Sequence, residues 1–377
     1  MLSVITFLSF ALIAYGYFGY PVILSFLPTR RKRDKSLSAP KSFSVIIAAR
    51  NEEGVIAERI ENVLAASVPP EASVEYLVCS DASDDRTHEI VQSFEFKGVR
   101  LVVSPERKGK EFAQALAVKA STSEILVFTD AKVKTESDIL LKLSEHFRDP
   151  EVGGVSSIDK VEAPPGGGSG EGMYVQYEMW LRELESGFNS LVGLSGSCFA
   201  VRREAAQNLR EDIPSDFALL IEIIKQKQIG VMAEDVVCTY RAVKTEEQEF
   251  ARKVRTVQRG ISTLFSAKEV LDFNKFGIFS WQIASHKLGR WLVPWFLIVG
   301  TLGAFKLSET STWWAFVSLV LLIFYGLAIY AFLHKPAREQ VIYKLPLFFL
   351  VTNAAILVAW VKYFTGGKSV VWNPSVR

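Results

Sequence analysis

Residues 2–27 carry no charged side chain. That run is long enough to cross a hydrocarbon core of about 30 Å, so a membrane helix is expected before any other element forms. Arg30, Arg31, Lys32, Arg33 and Lys35 follow it. Cationic residues stay on the cytoplasmic side of a bilayer, which puts this cluster in the cytoplasm and residue 1 outside. A cleaved signal peptide would carry its charges before the apolar run, not after it. Three more apolar segments lie near the other end, at 291–305, 313–333 and 345–363. Trp291, Trp295, Trp313, Trp314 and Trp360 sit near their ends, as interfacial aromatics do. Lys335 and Arg338 mark the loop between the last two spans as cytoplasmic. Four spans would leave the tail outside, although Lys362, Lys368 and Arg377 pull the other way and leave a re-entrant segment as the alternative. Composition agrees with a multi-pass membrane protein: 49% of the 377 residues are hydrophobic, and mean hydropathy is +0.19.

Between the spans the pattern changes. Apolar runs at 44–48, 74–79, 99–103 and 124–129 alternate with helical patterns at 53–66, 85–94 and 110–120. This alternation predicts an α/β domain with a mostly parallel central sheet. A further helix at 137–147, strands at 154–159 and within 230–240, and helices at 173–189, 216–227 and 245–265 complete it, while 192–201 carries Gly193, Ser195, Gly196 and Ser197 before Arg202. A glycine-rich loop separates 162 from the long helix. The expected organisation is an N-terminal membrane helix (1–28), a basic linker (29–42), one catalytic domain (43–270), an interfacial segment (271–290), C-terminal membrane helices (291–365) and a tail (366–377).

The net charge of +2 gives no basic field for a nucleic-acid partner. Cys79, Cys198 and Cys238 are scattered without metal spacing and are expected as buried free thiols. The four histidines are dispersed too, which speaks against zinc.

Ligands of parallel sheets bind beyond the carboxyl ends of the strands. That rim carries Asp81 after the second run and Asp130 at the end of the fourth. Asp81 can accept hydrogen bonds from a nucleobase or ribose, whereas Asp84 and Asp85 suit a solvated turn at a helix start. A second acid two residues beyond Asp130 would complete a site for Mg²⁺ or Mn²⁺ on a diphosphate. Lys132 stands there instead.

The ordered set from 43 to 265 resembles the family 2 glycosyltransferases, in particular their membrane-embedded, polysaccharide-synthase-like members. Phe43 to Glu53 looks like their opening strand, Ser80 to Asp85 like their nucleotide-binding turn, and Lys108-Gly109-Lys110 with Thr129-Asp130-Ala131 like the approach to their metal motif. Ser215-Asp216-Phe217 is similar to the segment holding their base, and Arg252 to Arg255 with Gln258-Arg259-Gly260 to their basic helix. The resemblance implies a GT-A fold and inverting transfer of a sugar from a nucleotide donor, most simply a UDP-sugar, to a growing or lipid-linked glycan. It implies an enzyme of the cell inner membrane with a cytoplasmic catalytic domain, membrane lipids around it and a role in polysaccharide and cell-envelope synthesis. It assigns the base to Asp216, the metal to Asp130, and donor binding to Asp81, Glu52, Lys110, Arg252 and Arg255.

Physical chemistry agrees with those roles. The acceptor hydroxyl must lose its proton to an ionised carboxylate, and cations must meet the charge gathering on the leaving diphosphate. Arg252 and Arg255 share a helix face and have the forked geometry that phosphate favours; anionic lipid headgroups would suit them as well. Two departures stand out: Lys132 in the metal motif, and Ser215 where relatives often carry an acid. Lys132 either points away from a metal on Asp130 or pairs with the diphosphate itself. The alternatives are an enzyme that loads a single sugar onto a polyprenyl phosphate, and a catalytically inactive membrane scaffold.

Overall fold

The computed structural model describes residues 1–29, 34–162, 170–241 and 245–366. The basic cluster at 30–33, the glycine-rich loop at 163–169 and the tail from 367 lie outside the described residues.

Eight strands form one sheet: β1 (Ser42–Ala49), β2 (Ser73–Ser80), β3 (Val99–Val103), β4 (Ile125–Asp130), β5 (Lys134–Thr135), β6 (Val152–Glu162), β7 (Cys198–Arg202) and β8 (Ile229–Arg241). Their order is β3-β2-β1-β4-β7-β6-β8-β5. The pairs β1–β2, β1–β4, β2–β3 and β6–β8 are parallel; β7 runs antiparallel to β4 and β6, and β5 to β8.

The strand pattern explains why both faces are covered. Along β1, Phe43, Val45, Ile47 and Ala49 enter one core with Ile56, Ile60 and Val63. Ile46 and Ala48 enter the other with Leu77, Phe128 and Phe199. Successive side chains of a strand point to opposite faces, so an unbroken apolar run needs helices on both. Each fully buried Ile or Phe contributes about 1.5–3 kcal/mol, and cutting Ile46 to alanine would cost about 2–5 kcal/mol.

Register sets the rim. Ala49 pairs with Ser80 on one side of β1, and Ala48 with Asp130 on the other. Asp81 and Asp130 therefore flank the end of the same central strand.

Within 192–202 only Cys198–Arg202 is strand, and the residues before it form a loop. The serine hydroxyls explain the difference. Ser195 Oγ donates to both oxygens of Asp159 (2.7 and 2.6 Å), and Ser197 Oγ bonds Ser195 Oγ and Asp159. Such side-chain bonds hold the Gly/Ser stretch as a loop instead of a ladder.

Four helices are long and apolar enough to cross a membrane: Leu2–Phe26, Ile278–Ser308, Thr312–Leu333 and Val341–Phe364. The second begins well before 291, and Phe279, Gln282, Ile283 and His286 in its first turns are buried within the protein. A Cβ built on Gly303 would lie 2.0 Å from Thr6 Oγ1, and one on Gly300 3.1 Å from the Phe10 ring. Glycine here lets the first and second helices approach closely, as small residues do between membrane helices.

Candidate functional site

Asp81 follows β2 and is fully buried. Its Oδ1 accepts from the backbone N–H groups of Lys108 and Gly109, both at 2.9 Å. Gly109 has φ +106°, which favours glycine and turns two successive N–H groups toward one oxygen. Asp81 Oδ2 is buried without a protein partner. A buried acceptor facing the rim is a place for a ligand donor.

The next residue, Lys110, opens the helix Lys110–Ala120. Its Nζ lies 2.5 Å from the Asp130 carboxylate and donates to Gly196 O at 3.3 Å. Burial pushes the Lys110 ammonium down, but Asp130 outweighs it and holds the group above the usual lysine range. Across the rim, Lys132 Nζ is 3.0 Å from Glu52, whose side chain is 4% exposed. Burial pushes the Glu52 carboxyl up, offset only in part by Lys132, while Asp130 and Asp85 raise it further. Among the described residues no group of three or more His, Cys, Asp or Glu side chains is placed to hold a metal.

Asp216 sits in the first turn of the helix Ser215–Lys225, and its Oδ1 accepts from Phe217 N at 2.8 Å. Its Oδ2 faces Gly196, 3.2 Å from where a Cβ there would stand. Gly196 thus touches Lys110 through its carbonyl and Asp216 through its bare Cα. Ser215, in the place of an acid, is a tie: its Oγ donates to Gln114 Oε1 at 2.8 Å, joining the Asp216 helix to the Lys110 helix.

Asp81, Glu52, Lys110, Asp130 and Asp216 are therefore carried by elements that meet at one rim. The two arginines of the late helix Glu246–Ser266 stand differently. Arg252 makes a two-bond pair with Glu249 of its own helix, both at 2.8 Å. Burial holds the Arg255 guanidinium below the usual arginine range, helped by Arg259 and Arg252. Arg259 reaches the Lys110 helix, 2.6 Å from Glu111. It is the cation that sequence reasoning left out of the site, although its spacing of seven from Arg252 put it on the same face.

The remaining polar residues build the frame. Arg50 donates to Asp81 O at 3.0 Å and pairs with Asp84 at 3.3 Å; Asp85 accepts from Glu53 N and Thr87 N, both at 3.0 Å. Asp84 and Asp85 stitch the turn, as the solvated-turn reading had them. Asp235 pairs with His146 at 2.8 Å. The three cysteines are buried free thiols, and burial pushes Cys79 up to about 12.

A mostly parallel sheet with acids at the ends of β2 and β4, an antiparallel β7 and an acid-bearing helix behind it defines a nucleotide-sugar transferase domain of the GT-A type. Residues 44–210 match the family described as Glycosyl transferase family 2. That match runs from β1 to β7 and takes in the acids at the ends of β2 and β4. It is 24% identical over 292 residues to an N-acetylglucosaminyltransferase of Rhizobium meliloti, covering 72% of this chain and 67% of the relative. An N-acetylglucosaminyltransferase of Rhizobium sp. is also 24% identical, over 55% of this chain and only 50% of its own length. In fold, the chain is similar to a mannosyltransferase of Pyrobaculum calidifontis solved with GDP-Man and Mn²⁺, with a TM-score of 0.69, 23% identity, and coverage of 97% of this chain and 99% of that one.

Proposed function

We propose that the chain moves a sugar from a UDP-sugar to a growing or lipid-linked glycan at the cytoplasmic face of an inner membrane. The observation that carries this is Gly196, which brings the Asp216 carboxylate and the Lys110–Asp130 pair to one point. Asp216 takes the proton of the acceptor hydroxyl as its oxygen bonds the anomeric carbon. The bond from that carbon to the diphosphate oxygen breaks, and the nucleoside diphosphate leaves with the electron pair. A single displacement of this kind inverts the anomeric centre.

Asp81 offers Oδ2 to the nucleoside. Lys110, with Arg252 and Arg255 on the late helix, meets the diphosphate charge, while Glu52 draws Lys132 to the other side of the rim. A divalent ion, Mg²⁺ or Mn²⁺, suits Asp130: that carboxylate is 26% exposed and already holds a cationic group, the Lys110 ammonium, at 2.5 Å. When bound, the ion neutralises diphosphate charge.

The test is a panel of UDP- and GDP-sugars with membranes containing the full chain, read as release of free nucleotide with Mg²⁺, Mn²⁺ or chelator. Release from a UDP-sugar that needs the metal supports the reading. Release from GDP-sugars alone overturns the donor, and full activity after exhaustive chelation overturns the metal.

A further inference from the structure

A cavity of about 190 Å³ lies between the helix Ile56–Leu64, the segment after Asp130 and the end of β8. Its charged lining is Arg59, Lys132, Lys134 and Arg241 against Glu58 and Glu162, four cations to two acids. Arg241 and Glu162 face each other at 3.8 Å, and Lys132 is drawn to Glu52. Lys134 is exposed, and its ammonium makes no hydrogen bond or ion pair with a described residue.

Arg59 stands out among these cations. It is only 3% exposed, yet its guanidinium meets neutral oxygens alone. One terminal nitrogen donates to Asn62 Oδ1 and to Thr135 Oγ1 (3.1 Å), the other to Thr129 Oγ1 at 2.9 Å. Its Nε is buried without a partner. Burial pushes the guanidinium below the usual arginine range, and Cys198, Cys238 and Asp130 offset that only in part. A buried charge is normally paired, because taking it out of water is costly. Among the described residues no carboxylate pairs with Arg59. Thr129 and Thr135 bracket the segment that holds Asp130 and Lys132, so the same guanidinium that lines the cavity also fastens both ends of that segment.

We propose that this cavity is a small-anion site, separate from the donor site, in which Arg59 and Lys134 take a phosphate-type oxyanion. The occupant supplies the counter-charge that the fold withholds from Arg59 and stiffens the segment carrying Asp130. Its size follows from the volume, which is below the roughly 300–1,000 Å³ of pockets that hold drug-sized ligands. A phosphate group fits that space; a whole nucleotide does not. Forked, charge-assisted bonding is what arginine offers to phosphate oxygens.

The test follows thermal unfolding and hydrogen exchange of the full chain in phosphatidylcholine nanodiscs, with potassium phosphate against potassium chloride at matched ionic strength. Phosphate should raise the unfolding temperature of the wild type saturably, as a ligand of the folded state does, and should slow exchange across 129–135. Lys134→Glu, a surface change, should unfold like the wild type in chloride and bind phosphate at least tenfold more weakly. Arg59→Lys keeps the charge, loses the fork and should weaken phosphate too. Each curve is repeated with saturating UDP or GDP, whichever stabilises the chain by itself, and the phosphate shift should persist. A shift no larger than in chloride, or one unchanged in Lys134→Glu, overturns the site. A shift lost once nucleotide is bound overturns it as well, because phosphate then sits in the donor pocket. Unchanged exchange across 129–135 overturns the coupling to Asp130. No sugar donor enters these measurements, so they decide the site whether or not the donor is a UDP-sugar.

Discussion

The Lys132 ammonium lies 3.0 Å from Glu52, across the rim from the Asp130 carboxylate, which is held by Lys110 instead. A cation in the metal motif is thus drawn to a buried acid on its far side. Lys132→Met should leave the metal requirement of transfer in place, and should cost about 1–3 kcal/mol of stability by stranding the Glu52 acceptor. Chelator titration and thermal unfolding check the two halves. Loss of the metal requirement would mean that Lys132 faces the diphosphate after all.

Asp216→Asn should lower transfer by about 10²–10⁴-fold, the usual contribution of a positioned base. Nucleotide affinity should stay within twofold, because Asp81 is held by the Lys108–Gly109 turn and Asp216 by the start of a different helix. Initial rates and nucleotide titration on one preparation test both. Wild-type turnover would remove Asp216 from the chemistry.

Asp81→Ala should cost twice over. It leaves the N–H groups of Lys108 and Gly109 without their acceptor, about 1–3 kcal/mol for a buried donor. It also removes the free Oδ2, so the donor KM should rise. A variant with lower stability and unchanged KM would make Asp81 purely a holder of the Lys108–Gly109 turn.

Lys110 links stability to pH. Its folded pKa is raised because Asp130 outweighs burial, so its contribution is complete below the unfolded value of about 10.4. That contribution fades as pH rises through the higher folded value. Wild-type unfolding temperature should drop more between pH 9 and 11 than that of Lys110→Met. Parallel curves would show that the pair adds nothing to stability.

Gly303→Ala should loosen the contact between the first two membrane helices, since its Cβ would stand 2.0 Å from Thr6 Oγ1. The cost should be about 1–3 kcal/mol. Adding Thr6→Ala removes the clashing oxygen and should recover part of it. Additive losses in that cycle would show that the helices are not in contact there.

The rim was legible because the apolar runs of β2 and β4 lead to Asp81 and Asp130, and parallel register with β1 puts those ends side by side. Asp81 and Asp130 could be named as candidates without coordinates for that reason, whereas Asp216, in the first turn of a helix, was reached only through the resemblance of Ser215-Asp216-Phe217. The fold of the loop before Cys198 was not legible because the bonds from Ser195 and Ser197 to Asp159 are made to a residue far away in sequence. The helix Ile278–Ser308 begins before the apolar run at 291 because Gln282, His286 and Lys287 interrupt its pattern, and the partners of Gln282 and His286 lie on other elements. Arg252 and Arg259 have the same residue type on the same helix face. Only the fold shows that one is held by Glu249 and the other by Glu111.

The bond from Tyr20 to Glu185 spans 165 positions of the chain. During synthesis the N-terminal helix enters the bilayer first, long before Glu185, His286 or Gly303 has been made. Its polar flank, Tyr15, Tyr17 and Tyr20, must wait in lipid or at its edge for partners that arrive last. A soluble fragment starting after the first helix would be born with Glu185 lacking its phenol donor. The anchor is therefore a late-docking structural piece of the enzyme, and cutting it away should yield an insoluble catalytic domain, not a freely diffusing one.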